Sequence, residues 1–270
     1  MKRLISFTKM HGAGNDYIYV DTDAFPLSNP AQLATQWSAP HTGIGADGLV
    51  LISRSTVADF RMRIFNADGS EALMCGNASR CIGKYVYENQ LTRNTTLTLE
   101  TLSGIKELQL AIQDDIVTEV TVDMGAPAIK QEALTLRTNQ GTFTGTVVSV
   151  GNPHFVIPTY DVDSVYLPQV GPALEYHPFF SPGRTNVEFA QVLNSTEVSM
   201  RVWERGSGIT MACGTGACAT AVACIAAGMT QQTVRVHMDG GALTIHWDKT
   251  TNRLLMTGDA VRVYEGLIAI

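Results

Sequence analysis

The sequence predicts a mixed α/β protein, rich in strands, made of two similar domains that each hold one central helix. Three observations carry this reading. The chain matches itself at one offset, two small apolar stretches recur at helical spacing behind a Cys-Gly step, and much of the remainder alternates apolar and polar residues with period two. At 270 residues, 45% hydrophobic and 16% charged, the chain is long enough to bury two cores.

The internal repeat orders the elements. MRIFN at 62–66 aligns with MRVWE at 200–204, an offset of 138 positions, and the same offset places Cys75 on Cys213 and Gly48 on Asn186. Gly48 and Asn186 each precede an apolar, strand-like run. Upstream, GNDYIYV at 14–20 resembles GNPHFVI at 151–157 at an offset of 137. Downstream, alternating runs meet at Ser103-Gly104 in one half and at Gly240-Gly241 in the other, as hairpins do. Each half reads strand, strand pair, Cys-Gly, helix, hairpin. Such a duplication is expected to set two domains across a cleft, with the cysteines related by pseudo-twofold symmetry.

Helical spacing is plain in Ala78, Cys81, Ile82 and Tyr85, and again in Ala217, Cys218, Ala221, Val222 and Ile225. Asn89 and Gly228 are the expected stops. The second helix is small and apolar on nearly every side, as suits a helix enclosed by a sheet. Segments 97–102, 108–112, 117–122, 233–237 and 243–247 alternate as strands.

Composition narrows the function. A net charge of -6 without a cluster of Lys and Arg argues against nucleic acid or an anionic membrane as partner and leaves a small molecule as the expected ligand. The longest apolar run, at 217–229, is too short to span a bilayer, and polar residues interrupt the N-terminus before a signal-length core, so a soluble, cytoplasmic protein is expected. Five cysteines without a CxxC pair suggest free thiols in a reducing compartment, with neither a disulfide framework nor a zinc site. The segment GIGADG at 43–48 fits G-x-G-x-x-G but precedes a strand instead of following one and opening a helix, so it reads as a turn that brings backbone close to a ligand.

Cys81, Cys218 and Cys224 lie inside the helices and read as small buried apolar groups. Cys75 and Cys213 differ, because each opens a helix behind a polar turn. A helix N-terminus offers unpaired N-H groups and the positive end of a dipole, which lowers a thiol pKa and holds a carboxylate. Inverting a stereocentre requires a proton to leave one face and arrive at the other, and two opposed thiols suit that task. His11, His41 and His154 sit near glycine-rich turns without metal-site spacing, and His154 is placed near the site. Asn15, Asn66, Asn152 and Asn186 fall in turn-like places on matching elements, and Glu204-Arg205 could clamp an amino acid. A thiol nucleophile forming acyl intermediates, or a redox sensor closing a Cys75–Cys213 disulfide, are the alternative readings.

The segments KMHGAGNDY, FNADGSEALMCGN, GNPHFV, TNVEF and WERGSGITMACGTGACA, in that order, resemble those of the diaminopimelate epimerase family. The cysteine motifs alone also suit the related proline racemases and other cofactor-independent racemases. The resemblance implies pyridoxal-phosphate-independent interconversion of LL- and meso-diaminopimelate, for lysine and peptidoglycan precursors, with no cofactor or metal, in a homodimer. It implies two pseudo-symmetric barrel-like domains, each a mixed sheet around a central helix, with the site in the cleft between them: 1–117, joined by a strand at about 258–270, and 118–257. It makes Cys75 and Cys213 the acid/base pair and gives the backbone of Gly76, Asn77, Gly214 and Thr215 to the reacting carboxylate. Asn66, Asn152, Asn186 and Arg205 would hold the distant L-centre, Asn15 and Glu204 would help place the substrate, and His154 would support the site. Gly48 stands where many members have Gln, Ala78-Ser79 departs from the usual Gly-Ala, and Ile209 replaces a common Glu. These departures leave room for another amino acid as substrate.

Overall fold

The computed structural model describes residues 3–270. The chain divides into two units, Met1–Asp123 with Thr257–Ile270, and Met124–Met256. The first contains β1 (Leu4–Gly12), β2 (Asn15–Asp21), α1 (Pro30–Ser38), β3 (Gly48–Arg54), β4 (Phe60–Asn66), β5 (Glu71–Ala72), α2 (Gly76–Glu88), β6 (Thr96–Thr101), β7 (Gly104–Gln113) and β8 (Ile116–Gly125). The second contains β9 (Ala128–Thr138), β10 (Gly141–Ser149), β11 (Pro153–Pro158), α3 (Leu167–Glu175), β12 (Asn186–Asn194), β13 (Glu197–Glu204), β14 (Gly208–Ile209), α4 (Gly214–Ala226), β15 (Thr233–Met238), β16 (Gly241–Asp248) and most of β17 (Arg253–Gly258). The last strand, β18 (Val261–Ala269), pairs antiparallel with β1 in the first unit. β8 runs unbroken past position 117, and the division between the units falls towards its far end.

The duplication is visible in the strand pairing. In the first unit β2 runs parallel to β3 with Tyr17 opposite Gly48, β3 is antiparallel to β4, and β4 runs parallel to β6. In the second, β11 runs parallel to β12 with His154 opposite Asn186, β12 is antiparallel to β13, and β13 runs parallel to β15. Both predicted hairpins are present, with Thr101 opposite Gly104 and Met238 opposite Gly241. The helices α2 and α4 are each 13 residues long and begin 138 positions apart.

Strands β3 and β12 are buried on both faces, which explains the unbroken apolar run of β3 and the apolar residues that flank Glu188 on β12. Leu49 and Leu51 pack with Ala34 and Trp37 of α1, and Val187 and Phe189 with Leu167 and Leu174 of α3. Successive side chains on a strand point to opposite faces, so Asn186, Glu188 and Ala190 turn to the α4 side. That helix is buried from Gly216 to Ile225, and its Gly, Ala, Thr and Cys side chains let the strands close round it. A larger residue there would overpack the core at a cost of about 1–3 kcal/mol. Gly228, at φ +70, ends α4 in the left-handed conformation that glycine adopts without strain.

Each unit also carries an outer helix, α1 or α3, beyond the single central helix expected. Both are nine residues long, start at a residue whose side chain makes no capping hydrogen bond, and α3 contains Pro172. A proline in the first turn of each is the local start signal, and packing on the strands supplies the rest of their stability.

Candidate active site

The two cysteines opening α2 and α4 are the N-caps of their helices. Cys75 has extended backbone, φ -137 and ψ 121, and its Sγ accepts the Ala78 N-H at 3.5 Å. Cys213 has φ -122 and ψ 105, and its Sγ accepts the Gly216 N-H at 3.3 Å. A serine or aspartate oxygen ordinarily fills this place. Here sulfur does so twice, which fixes each thiol beside the free N-H groups and the positive end of a dipole.

The expectation that this setting lowers both thiols is not met. Burial pushes the Cys75 thiol up, and the N-H groups of Ala78 and Asn77, the Arg80 charge and the Tyr17 hydroxyl only partly oppose it. Cys213 is pushed well above the ordinary thiol value, first by burial and then by the charges of Glu204 and Glu188. Desolvation of the thiolate outweighs the helix dipole at both sites.

Around Cys75, Asn15 is the hub. Its Oδ1 accepts from Asn77 Nδ2 at 3.1 Å and lies 3.5 Å from the thiol, while its Nδ2 donates to Asp47 Oδ2 at 2.7 Å. The same Asp47 oxygen accepts the Asp16 N-H, and Asp16 pairs with the buried Lys9. Burial holds the Asp47 carboxyl above its usual range. Asn66 donates from Nδ2 to Ser70 Oγ at 3.0 Å and so closes the turn that leads into Cys75. Gly48 lies opposite both Tyr17 and Asn66, and a Cβ there would stand 2.1 Å from the Phe65 carbonyl oxygen. Position 48 therefore offers backbone only. Gly76 and Asn77 are buried as the first two residues of α2.

Around Cys213 a chain of hydrogen bonds runs inward. Thr215 Oγ1 is 3.6 Å from the thiol and accepts from Asn152 Nδ2 at 3.2 Å. Asn152 Oδ1 is 3.0 Å from His154 Nε2, and His154 Nδ1 is 2.6 Å from Glu188 Oε1, with both ring and carboxylate fully buried. Asn186 donates to the Pro153 carbonyl and accepts the Arg205 N-H at 2.9 Å, which ties β12 to the turn holding Glu204 and Arg205. The Arg205 guanidinium is exposed and bonds the Gly183 carbonyl at 2.8 Å. Glu204 bonds the Thr210 hydroxyl, and burial raises its carboxyl. Gly214 and Thr215, at the start of α4, are half-buried.

The sequence residues thus gather into two clusters, Asn15, Gly48, Asn66, Cys75, Gly76 and Asn77 in one unit, and Asn152, His154, Asn186, Glu204, Arg205, Cys213, Gly214 and Thr215 in the other. The family model for diaminopimelate epimerase matches residues 7–130 and 146–263 of this chain. The diaminopimelate epimerase of Parabacteroides distasonis is 63% identical to it over 270 residues, covering 100% of both chains. That of Bacteroides thetaiotaomicron is 57% identical over 267 residues, covering 98% of both. The chain belongs to the diaminopimelate epimerase family.

Solved structures share the fold at much lower identity. A phenazine biosynthesis protein of the PhzF family from Bacillus anthracis aligns with a TM-score of 0.79 at 17% identity, covering 99% of this chain and 100% of that one. A hydroxyproline epimerase from Agrobacterium vitis aligns with a TM-score of 0.74 at 14% identity, covering 100% of this chain and 94% of that one.

For this member of the diaminopimelate epimerase family, sequence reasoning overlooked four residues beside the thiols. Tyr17 and Arg80 both bear on Cys75. Asp47 holds Asn15, and Glu188 holds His154. Glu188 was visible as a carboxylate inside an apolar run, between Val187 and Phe189, and Arg80 as a cation within a helix otherwise destined for the core. Such a charge is buried only with partners. The Arg80 Nε donates to the Asp259 carbonyl at 3.0 Å, and Gly12 makes room for its guanidinium, since a Cβ there would lie 2.7 Å from Nη2.

Proposed function

We propose that this chain is a diaminopimelate epimerase that interconverts the LL and meso isomers by proton transfer between two cysteines. The observation that carries the reading is the repeated cap, a thiol fixed at the N-terminus of each of two equivalent helices. One thiolate takes the α-proton from one face of the carbon, and the opposite thiol gives its proton to the other face. The stereocentre inverts, and one proton has passed to the first sulfur and one has left the second, so the reverse reaction starts from the exchanged pair. The carbanion needs donors aimed at the carboxylate, where negative charge grows. The N-H groups of Gly76, Asn77, Gly214 and Thr215 suit that role, and the reaction proceeds without pyridoxal phosphate or metal.

Asn66, Asn152, Asn186 and Arg205 are assigned to the distant amino acid head, Asn15 and Glu204 to placing the substrate, and His154 to supporting the site. A pocket built to bond a second amino acid head rejects a substrate lacking it, because its polar groups would be left unpaired. The backbone at Gly48 replaces any side-chain contact there. Among the described residues no helix is long and apolar enough to cross a membrane, and a cytoplasmic location is proposed. A homodimer is proposed as well, supported by the exposed Leu4, Val261, Val263 and Leu267 on the paired β1 and β18.

Incubation with LL-diaminopimelate in deuterated water tests the reading. Deuterium at the α-carbon together with meso product is expected, and a folded protein giving neither overturns it. Loss of activity with a chelator, restored by metal, would count against the cofactor-free reaction.

A further inference from the structure

The duplication allows the two half-sites to be compared position by position, and among the buried charges that differ, one on each side bears on a thiol. Arg80, fully buried in α2, has Cys218 as its counterpart 138 positions later, and Glu188, fully buried on β12, has the apolar Val50. The core of the first unit therefore shows that this strand position is filled well without a carboxylate. Burying a charge costs stability unless it is paired. Glu188 has His154 Nδ1 at 2.6 Å, while its Oε2 has no hydrogen-bond partner among the described residues. The carboxylate also reaches the cap itself. A Cβ at Gly216, whose N-H bonds the Cys213 sulfur, would lie 2.9 Å from Glu188 Oε1.

We infer that Glu188 is a positioning residue of the Cys213 half-site: its carboxylate orients His154 through Nδ1 and sets a negative charge against the first turn of α4, where it opposes a thiolate at Cys213. The inference rests on the two-thiol reading above. The ring meets an acceptor at each nitrogen, Glu188 Oε1 at Nδ1 and Asn152 Oδ1 at Nε2, and the carboxylate thereby fixes which edge of the ring faces Asn152. From Asn152 the chain continues through Thr215 to the thiol. The groups facing Cys213 from neighbouring elements are Glu204 on β13, Glu188 on β12 and, beyond Glu188, His154 on β11. On the other side the buried Arg80 cation favours the Cys75 thiolate. A resting enzyme built this way meets substrate with a base at Cys75 and an acid at Cys213.

The experiment is the pH dependence of iodoacetamide alkylation at each cysteine, followed by peptide mass spectrometry on the full chain. In the wild type the inflection for Cys75 should lie at lower pH than that for Cys213. In Glu188→Gln the Cys213 inflection should move to lower pH, with at least a threefold faster rate at pH 8, while Cys75 stays within twofold. Glu188→Asp keeps the charge and should keep the wild-type inflection, which a merely packing role would not require. If Glu188→Gln fails to fold, Glu188→Met gives the same reading. An unmoved Cys213 inflection, or equal movement at both cysteines, overturns the inference. Alkylation needs no substrate, so failure of the deuterium experiment with the wild type would overturn the epimerase reading separately.

Discussion

The Cys75 and Cys213 half-sites share a cap and differ in what surrounds it. At Cys75 the neighbours are amides, a phenol and a buried cation, namely Asn15, Asn77, Tyr17 and Arg80. At Cys213 they are a hydroxyl and two carboxylates, Thr215, Glu204 and Glu188, with His154 and Asn152 behind. The strand register makes Tyr17 and His154 equivalent, since one lies opposite Gly48 and the other opposite Asn186. Duplication preserved the backbone frame that aims each thiol, and divergence reset the charge around it. The two thiols are thus unequal acids.

The largest effect expected is from the thiols themselves. Cys75→Ala and Cys213→Ala should each lower kcat/KM for epimerisation by about 10³-fold or more, as loss of a general acid or base does. Near-normal turnover by either variant in a coupled or polarimetric assay would break the pairing of the half-sites.

Asn186→Leu comes next, because it leaves the Arg205 N-H and the Pro153 carbonyl without their partner. Unsatisfied part-buried groups cost about 1–3 kcal/mol each, so a fall in stability of that order is expected in thermal melts, together with a raised KM. Its counterpart sharpens the comparison from the other side. Gly48→Asn must displace backbone at Phe65 and should lower stability by about 1–3 kcal/mol in thermal melts. A variant as stable as the wild type would show that the two positions are interchangeable after all.

The pH response separates the half-sites more gently. Both thiols are raised, so alkylation of each should rise only above the ordinary thiol value of about 8.5, with Cys213 the later of the two. Alkylation of both with an inflection below pH 7 would break this ordering. The smallest effect concerns the helix interior. Burial pushes Cys224 up to about 11, so the folded state binds that proton more tightly than the unfolded one. Its stabilising contribution is complete below about pH 8.5 and is lost as pH rises towards 11, by up to about 1.4 kcal/mol per pH unit. Cys224→Ala should flatten the alkaline fall in denaturant-measured stability by that amount, and an unchanged slope would contradict it.

Much of the frame was legible in the chain. The Cys-Gly steps, the hairpins at 103–104 and 240–241 and the repeat itself are matters of local pattern, and the helices α2 and α4 begin where the pattern places them. The outer helices α1 and α3 were overlooked: a proline opens each, but without a side-chain cap beside it that signal is weak in nine-residue helices whose form depends on packing. The Asn and Glu-Arg positions were legible as polar residues in turns, but their partners were not. Asn15 meets Asp47 at 32 residues' separation and His154 meets Glu188 at 34, distances over which no periodicity speaks.

By itself, then, the sequence determined that two thiols would stand at two helix starts, since capping and hydrophobic period depend on residues within a few positions of one another. The tertiary structure decided how acidic those thiols are. Desolvation and Coulomb energy depend on what lies within a few ångströms in space, and the fold puts Arg80 beneath one thiol and Glu188 beneath the other.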